Sequence, residues 1–248
     1  MTIDWKVPEK AVLSETHVDI WLIHIPDFVA SVEEDLSLLD DYERQRAEAF
    51  RFLRDKESFV VAHAALRRIL GNYLNLAPVA IRFQYNSFKK PHVANEGAAK
   101  VSFNLSHSQQ YALVAVTLSH DLGVDIEYMK KSRDLSQIAE RFFSEKEFEE
   151  YHSLASEQKL EGFYNAWTRK EAFIKAMGQG LFCSLKDFVV NLTPGVEAKI
   201  IDVKDPLAHL WHIQGFSPVE NYCAAVVVCG AISKINFFQI LPRVFPYQ

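Results

Sequence analysis

The stretch "GVDIE" (123–127) follows the apolar run "YALVAVTLSHDL" (111–122) and carries two carboxylates, Asp125 and Glu127, two residues apart. Side chains of a strand alternate between its two faces, so the two acids would project together while their apolar neighbours enter a core. Two adjacent carboxylates repel each other unless a cation lies between them or one of them binds a proton. The pair therefore indicates either a cation site or the polar outer face of a half-buried strand.

The predicted elements before this stretch are a strand, helices and further strands. "VDIWLIHI" (18–25) alternates like a strand, and the charged segment 31–53 has helical periodicity. Asp55 is placed to be the N-cap of a long helix whose apolar residues recur every three or four positions. Strands over 80–86 and 101–106 follow, separated by a polar loop.

The same order of elements begins again in the second half of the chain. "YALVAVTL" (111–118) and "LGVDIEYM" (122–129) predict two adjacent strands joined by a short polar link. Ser144 and Glu147 have the spacing of a capping box at a helix start, and Gly178 is placed to end a second long helix. Strand patterns fill the remainder.

This repetition predicts an α+β protein, a pseudo-dimer of two similar α/β halves, with residues 1–119 in the first and 120–248 in the second. The two halves share a Val-Asp-Ile opening, but the first has Trp21 where the second has Glu127. We therefore expect only the second half to keep the acidic pair, and the first to serve as a scaffold and lid.

The charge, the cysteine content and the apolar runs of the sequence exclude several classes of protein. The net charge of −5 and the pI of about 6.0 do not support a broad nucleic-acid surface. Cys183, Cys223 and Cys229 are widely spaced and form neither a disulfide framework nor a zinc pattern. The first residues lack an apolar signal region, and the longest apolar runs are too short to cross a bilayer. We predict a cytoplasmic protein with no nucleic-acid or membrane partner.

A second informative stretch is "WTRKEAFIKAMGQGL" (167–181), in which Trp167, Glu171 and Lys175 lie four residues apart along one side of a helix. One interpretation is a surface Glu–Lys pair worth about 0.2–0.5 kcal/mol. The aromatic residue on the same stripe favours a side that faces protein or ligand.

Candidate phosphate-binding residues lie elsewhere in the chain. The strand "FNLSHS" (103–108) ends near Ser106 and His107, which offer a hydroxyl and an imidazole to a phosphate, although a lone histidine is often only structural. Basic clusters occur at 88–92 and 43–54 and are either phosphate contacts or solvated faces. No GxSxG, P-loop or GxGxxG sequence is present, which excludes those hydrolase, NTPase and dinucleotide-binding classes.

Asp125, Glu127 and Glu171 supply three carboxylates that can converge, with Lys175 one turn further on. Oxygen ligands without a Cys or His pattern suit Mg²⁺, which bridges carboxylates to substrate phosphates. We predict a magnesium site for a pyrophosphate-bearing substrate. A magnesium-dependent phosphodiesterase usually needs more metal-binding carboxylates and histidines than this chain provides.

Taken in order, "KKPH", "FNLSHS", "GVDIE", "RFFSEKEFEEY" and "FYNAWTRKEAFIKAMGQGL" resemble the 4'-phosphopantetheinyl transferases of the surfactin-synthetase-activating type, over residues 36–192. The resemblance implies an enzyme that transfers the phosphopantetheine arm of coenzyme A to a serine of an apo acyl or peptidyl carrier protein, with Mg²⁺. The released product would be adenosine 3',5'-bisphosphate. Coenzyme A would lie between the two halves of a functional monomer, with the first half as a cleft wall and the metal site on the second half.

The resemblance also implies catalytic roles. Asp125, Glu127 and Glu171 would be the magnesium ligands. Lys175 would contact the phosphate near the attacked phosphorus, and Lys175 and His107 would stabilise charge that grows on the phosphate oxygens. Either Glu171 or a metal-bound water would take the serine proton.

Further residues would bind coenzyme A by the same resemblance. The matched phosphate contacts are Lys90, Ser106, His107 and Lys175. Arg46 falls on one of two early basic positions used for the 3'-phosphate, and the other position carries Glu43. Arg44 or Arg51 is the alternative to that missing base.

The predicted partner is a carrier of a nonribosomal peptide or polyketide synthase, with a fatty-acid carrier as the alternative. The rival hypothesis for the function is a catalytically weak coenzyme A-binding or carrier-docking module. A carrier is expected to present an acidic surface, so docking needs local cations and apolar contacts. The segment 129–143 either supplies these or is an ordinary amphipathic helix. Its candidate residues are Lys130, Lys131, Arg133, Arg141, Leu135, Ile138 and Phe142.

Overall fold

The computed structural model of the protein describes residues 3–8, 11–98, 100–131, 134–178, 184–203 and 208–242. Its helices are α1 (Val32–Leu38), α2 (Asp41–Glu48), α3 (Leu53–Leu74), α4 (Leu135–Phe142), α5 (Glu145–Ser153) and α6 (Lys159–Met177). Its strands are β1 (His17–His24), β2 (Phe83–Tyr85), β3 (Pro91–Val93), β4 (Val101–Ser108), β5 (Tyr111–Leu118), β6 (Asp121–Tyr128), β7 (Phe188–Val190), β8 (Ile200–Val203), β9 (Trp211–Phe216), β10 (Tyr222–Cys229) and β11 (Lys234–Gln239). The predicted α+β class is confirmed.

Two main sheets pack face to face between the two long helices. The first sheet has the order β11-β1-β5-β4, and the second has the order β6-β10-β9. Helix α3 covers the outer face of the first sheet, and α6 covers that of the second. Ile20, Ala115, Ile126 and Val226 fill the space between the sheets and are buried. In β1-β5-β4 and in β6-β10-β9, neighbouring strands pair antiparallel, and the strand that comes last along the chain lies in the middle. Because the two sets share this arrangement, the predicted pseudo-dimer of similar halves is confirmed.

Two strands are paired differently from the prediction. The strands β5 and β6 follow each other along the chain, but β5 pairs with β1 and β4 while β6 pairs with β10. The expectation of two adjacent strands is therefore wrong, because the short link between them passes from one sheet to the other. Strand β11 also pairs in parallel with β1, so the first sheet contains a strand from the end of the chain.

The helices also begin at other residues than predicted. The segment 31–53 contains two helices, because Asp40 starts α2 with a capping box in which Glu43 is the third helical residue. The N-cap of α3 is Phe52, so the prediction that Asp55 caps this helix is wrong. The segment expected to be a polar loop contains the short strand β3, which pairs with β2.

The capping predictions for the second half are confirmed. Ser144 and Glu147 form a capping box at the start of α5. Gly178 has a φ of 65° at the end of α6, where glycine avoids the steric cost of a side chain, and its N–H donates to the carbonyl of Ile174. Among the described residues, none of the helices combines the length and apolar character needed to traverse a bilayer.

The first half uses its Val-Asp-Ile strand differently from the second. Asp19 is buried in β1, where its carboxylate accepts hydrogen bonds from the Tyr73 hydroxyl (2.6 Å) and from Asn236 Nδ2 (2.7 Å). Trp21, two residues later, is buried and donates its indole N–H to the same Tyr73 hydroxyl. The acid of this half is thus enclosed by its own helix and by β11.

Candidate active site

A glycine in β6 lets helix α6 lie directly on the strand that carries the acidic pair. A Cβ at Gly123 would come within 2.0 Å of the Ala172 carbonyl oxygen, so no larger residue fits here. The close approach brings the next turn of α6, with Glu171 and Lys175, beside Asp125 of β6. Two members of the predicted helix stripe, Glu171 and Lys175, therefore face the acidic strand, whereas Trp167 packs against Phe142 and Phe163.

Asp125 is 4% exposed and uses only one of its two carboxylate oxygens. Its Oδ1 accepts hydrogen bonds from Lys175 Nζ at 2.7 Å and from Ser106 Oγ at 2.9 Å. Its Oδ2 is buried and has no hydrogen-bond partner among the residues that the structure describes. A buried carboxylate oxygen without a partner is unfavourable, and a cation would satisfy it.

Glu127 and Glu171 lie next to Asp125 and are both harder to ionise than ordinary glutamates. Burial raises the pKa of each carboxyl, and the negative charge of Asp125 raises it further. Glu127 Oε2 accepts a hydrogen bond from Ser108 Oγ at 2.8 Å. Glu171 receives no hydrogen bond from any described residue. The positive charge of Lys175 lowers the pKa of both glutamates, but burial and the charge of Asp125 outweigh it.

The three carboxylates nevertheless do not surround one point. Within the described ranges, no group of three or more His, Cys, Asp or Glu side chains is arranged to hold a metal ion. Glu127 is turned toward Ser108, while the bonded oxygen of Asp125 is turned toward Lys175. Metal binding would require these side chains to turn toward each other.

Side chains of β4 satisfy the free edge of β6, a feature that the sequence analysis missed. Three backbone N–H groups of β6 donate to three side chains of β4: Val124 to Asn104 Oδ1 (2.9 Å), Ile126 to Ser106 Oγ (3.4 Å) and Tyr128 to Ser108 Oγ (3.1 Å). Asn104, Ser106 and Ser108 alternate along the strand, so a period of two in polar residues was the available signal. Two of these side chains also hold the acids.

Lys90 connects the two halves just before β3. Its Nζ donates to the carbonyl oxygens of Leu122 and Ala176, both at 3.0 Å. Burial lowers the pKa of this lysine. An ammonium group has three N–H donors, so one remains for a phosphate.

His107 lies at the end of β4, where its side chain is exposed to solvent on one side and protein atoms surround the imidazole on the other. This partial burial lowers the pKa of its imidazole, and the nearby positive charges of His63 and Lys175 lower it further. The imidazole is therefore neutral at pH 7. It can donate or accept a hydrogen bond near Lys175.

Glu43 and Arg46 of α2 point in different directions. Glu43 is 0% exposed and accepts hydrogen bonds from Arg67 Nε (2.7 Å), while its other oxygen contacts His63 Nδ1 (2.8 Å). The acid is thus part of an internal ion-pair cluster. Arg46 is exposed, with its guanidinium 5.0 Å from the ring centre of Phe59.

Comparison with known protein families identifies both halves of the chain. The model of the 4'-phosphopantetheinyl transferase superfamily matches residues 121–227. The model described as 4'-phosphopantetheinyl transferase, N-terminal, matches residues 29–119.

Similar proteins carry the same description. The 4'-phosphopantetheinyl transferase HetI of Nostoc sp. is 36% identical over 226 residues, which cover 91% of this chain and 92% of HetI. A putative 4'-phosphopantetheinyl transferase of Synechocystis sp. is 28% identical and covers 86% of this chain and 88% of its own. The 4'-phosphopantetheinyl transferase Sfp of Bacillus subtilis is 30% identical and covers 64% of this chain and 69% of its own. These matches agree with the motifs on β4, β6 and α6, and the chain belongs to the 4'-phosphopantetheinyl transferase superfamily as a phosphopantetheinyl-transferring enzyme.

Proposed function

We propose that the enzyme transfers the 4'-phosphopantetheine arm of coenzyme A to a serine hydroxyl of an apo acyl or peptidyl carrier protein, with Mg²⁺, and releases adenosine 3',5'-bisphosphate. The observation that carries this proposal is the buried, unpartnered Oδ2 of Asp125 beside Glu127, Glu171 and Lys175. A metal ion would satisfy this oxygen, which has no partner among the described residues, and Lys175 already lies where a phosphate would approach.

Asp125, Glu127 and Glu171 are the proposed magnesium ligands. Their oxygens are the ligand type that Mg²⁺ prefers. Burial, and then the negative charge of Asp125, raise the pKa of both glutamates, and a bound cation would favour their ionised forms. When bound, Mg²⁺ supplies Lewis acidity and orientation to the diphosphate. Ser106 and Ser108 hold two of the three carboxylates in place.

Lys175, His107 and Glu171 are the proposed catalytic residues. In the transfer, a bond forms between the serine oxygen and the pantetheine-side phosphorus, while the bond to the oxygen bridging the two phosphorus atoms breaks. Lys175 Nζ, now 2.7 Å from Asp125 Oδ1, supplies a positive charge for the phosphate oxygens. Neutral His107 donates a hydrogen bond to the same charge. Glu171 is the proposed acceptor of the serine proton.

The remaining coenzyme A contacts are proposed along the cleft between the halves. Lys90, His107 and Lys175 are proposed to bind the phosphates. Ser106 is proposed to join them in exchange for one of its present hydrogen bonds, such as the one from Lys175. Arg46 is the proposed ligand of the 3'-phosphate, supported by its exposure and its freedom from ion pairs with described residues.

Arg44 and Arg51 are the proposed candidates for the second basic position, where this chain carries Glu43. Arg44 forms an ion pair with Asp41 at 3.0 Å. Arg51 lies over the ring of Phe52, with 5.3 Å between the guanidinium and the ring centre.

We further propose that the two halves have the different roles predicted from the sequence. Residues 1–119 form one wall of the coenzyme A cleft, and residues 120–248 carry the metal site. Since one chain supplies both walls, the enzyme acts as a monomer. The proposed setting is the cytoplasm, and the proposed acceptors are carriers of nonribosomal peptide or polyketide synthases.

The proposed carrier-docking surface is the cationic side of the segment 129–143. Lys130, Lys131 and Arg141 are exposed. The predicted Arg133 lies outside the described residues. The apolar candidates Leu135, Ile138 and Phe142 are only partly available, because they pack against the core around α6.

The test is a transfer assay with coenzyme A, Mg²⁺ and a panel of apo carriers, read by intact mass. We expect one carrier serine to gain one phosphopantetheine group. Asp125→Ala, with folding checked by circular dichroism, should abolish the gain, as should EDTA. Near wild-type transfer in EDTA would refute the metal role. A protein that binds coenzyme A but modifies none of the carriers would support the rival docking-module hypothesis.

A further inference from the structure

We propose that the protein has a second ligand site, a cavity at Arg169 that binds the carboxylate group of a small organic acid. The cavity has a volume of about 880 Å³ and lies against α6, β9 and β11. None of the residues proposed above for coenzyme A, magnesium or catalysis lines it. It is at the β9 edge of the second sheet, whereas Asp125 is at the opposite edge on β6. The proposal is independent of the proposed function.

The guanidinium of Arg169 is buried, and among the residues that the structure describes only one of its three nitrogens has a partner. The residue is 4% exposed. Its Nη1 donates to the backbone oxygen of Asn191 and to Asn191 Oδ1, the latter at 3.0 Å. Its Nε is buried, and neither Nε nor Nη2 donates to any residue that the structure describes. These two nitrogens form the parallel pair of donors that a carboxylate accepts with both oxygens.

No described carboxylate neutralises this buried cation. Glu150 and Glu161 act on Arg169 only through space. Glu150 is occupied, since its Oε1 accepts from the backbone N–H groups of Leu192 and Thr193 and from the Thr193 hydroxyl. Burial correspondingly lowers the pKa of the Arg169 guanidinium. An uncompensated buried charge is costly, so an anion that enters the cavity would be stabilised.

A glycine keeps the two free nitrogens uncovered. A Cβ added to Gly215 of β9 would lie 3.3 Å from Nη2, 3.4 Å from Nε and 3.5 Å from the Cβ of Ala198. Any side chain at this position would therefore stand against the pair of donors. The absence of one leaves space where a carboxylate would bind.

The walls of the cavity indicate the rest of the ligand. Ile213, Phe216 and Phe237 offer apolar and aromatic contacts, and Lys6 and Lys234 add positive charge at the exposed rim. Three acids also line the cavity: Asp4, Glu161 and Glu197. A dianionic phosphate would be repelled by these acids more strongly than a monocarboxylate. The geometry thus favours a monocarboxylate with an apolar body, and the volume suits a small molecule.

Benzoate and inorganic phosphate are the probes for a test on the full chain. Binding is measured by calorimetry and by the ¹⁵N NMR signal of the Arg169 Nε–H, assigned by its loss in Arg169→Lys. We expect saturable benzoate binding with a shift of that signal. Gly215→Ala, which fills the space, and Arg169→Lys, which removes the paired donors, should each weaken binding by about tenfold or more. Val196→Ala, on the cavity wall, is the matched control and should change the affinity less than about twofold.

Several results would overturn the assignment. These are no saturable benzoate binding, equal affinity in all variants, or tighter binding of phosphate than of benzoate. Binding of benzoate by Glu161→Gln but not by the unmodified chain would show that Glu161 itself occupies the site, and would also overturn it. The two test variants act on different elements, so a folding defect in one leaves the other decisive.

Discussion

Replacing Ser106 by alanine tests whether the hydroxyl of this serine mainly stabilises the folded protein or mainly binds coenzyme A. Its hydroxyl donates to Asp125 Oδ1 at 2.9 Å and accepts from Lys175 Nζ at 2.9 Å and from Ile126 N at 3.4 Å. A hydroxyl has one donor and two acceptor positions, so these contacts occupy all of them. The residue is 7% exposed, so water cannot readily replace it.

The expected loss of stability follows from what the substitution leaves behind. Ile126 is fully buried, and its backbone N–H would lose its side-chain partner. Asp125 would keep only Lys175 as a donor. A buried polar group without a partner costs about 1–3 kcal/mol, and we expect Ser106→Ala to lower the free energy of unfolding by that amount.

Urea denaturation measures this difference, with Ser108→Ala as the matched control. Ser108 makes the same two kinds of contact, to Glu127 and to the N–H of Tyr128, but Tyr128 is exposed and water can replace the hydroxyl. Its loss should cost no more than about 1 kcal/mol. If Ser106→Ala were as stable as the unmodified protein while coenzyme A affinity fell, the hydroxyl would serve the ligand and the reasoning would be refuted.

Three further predictions concern the proposed active site. Lys175→Ala should lower turnover by about 10²–10³-fold while calorimetry shows a smaller loss of coenzyme A affinity; lost binding with unchanged turnover of the residual complex would contradict this. The folded protein holds a proton on Glu171 more tightly than the unfolded chain, because burial and the charge of Asp125 raise its pKa above 4.5. The stabilisation from the protonated Glu171 is therefore present below pH 4.5 and is lost as the pH rises through the pKa of the folded state. We expect the Tm of Glu171→Gln, measured relative to the Tm of the unmodified protein, to increase over that pH range. A Tm difference that is constant from pH 4 to pH 8 would contradict it. Reversing Lys130 and Lys131 to Glu should raise the KM for the carrier and flatten its salt dependence, with little effect on the KM for coenzyme A; equal damage to both constants would remove the docking assignment.

Local patterns in the sequence predicted those elements whose determinants are close together along the chain. The alternation around Asp125, the capping box at Ser144 and the glycine that ends α6 each depend on residues within a few positions. The pairing of β11 with β1 does not, because alternation shows which face of a strand is buried but not which sheet it joins.

In the candidate site, too, local patterns predicted some features, whereas others depend on contacts between distant parts of the chain. The sequence placed Glu171 and Lys175 on one side of a helix, and the structure brings that side to Asp125. The inward direction of Glu43 depends on Arg67, which is on another helix, and no local pattern reveals it. The residues of α6, β9 and β11 that line the Arg169 cavity are likewise brought together only by the fold.

The edge of β6 has a consequence for how the two halves can move. Its outward N–H groups are bound by side chains of β4, not by the backbone of a neighbouring strand. Separating β4 from β6 along this line would therefore break side-chain contacts and leave the backbone pairing within both sheets intact. The amide protons of Val124, Ile126 and Tyr128 should exchange with solvent whenever the cleft opens, while the β6 amide protons bound to β10 remain protected. Hydrogen exchange at these three amides therefore measures how often the cleft opens.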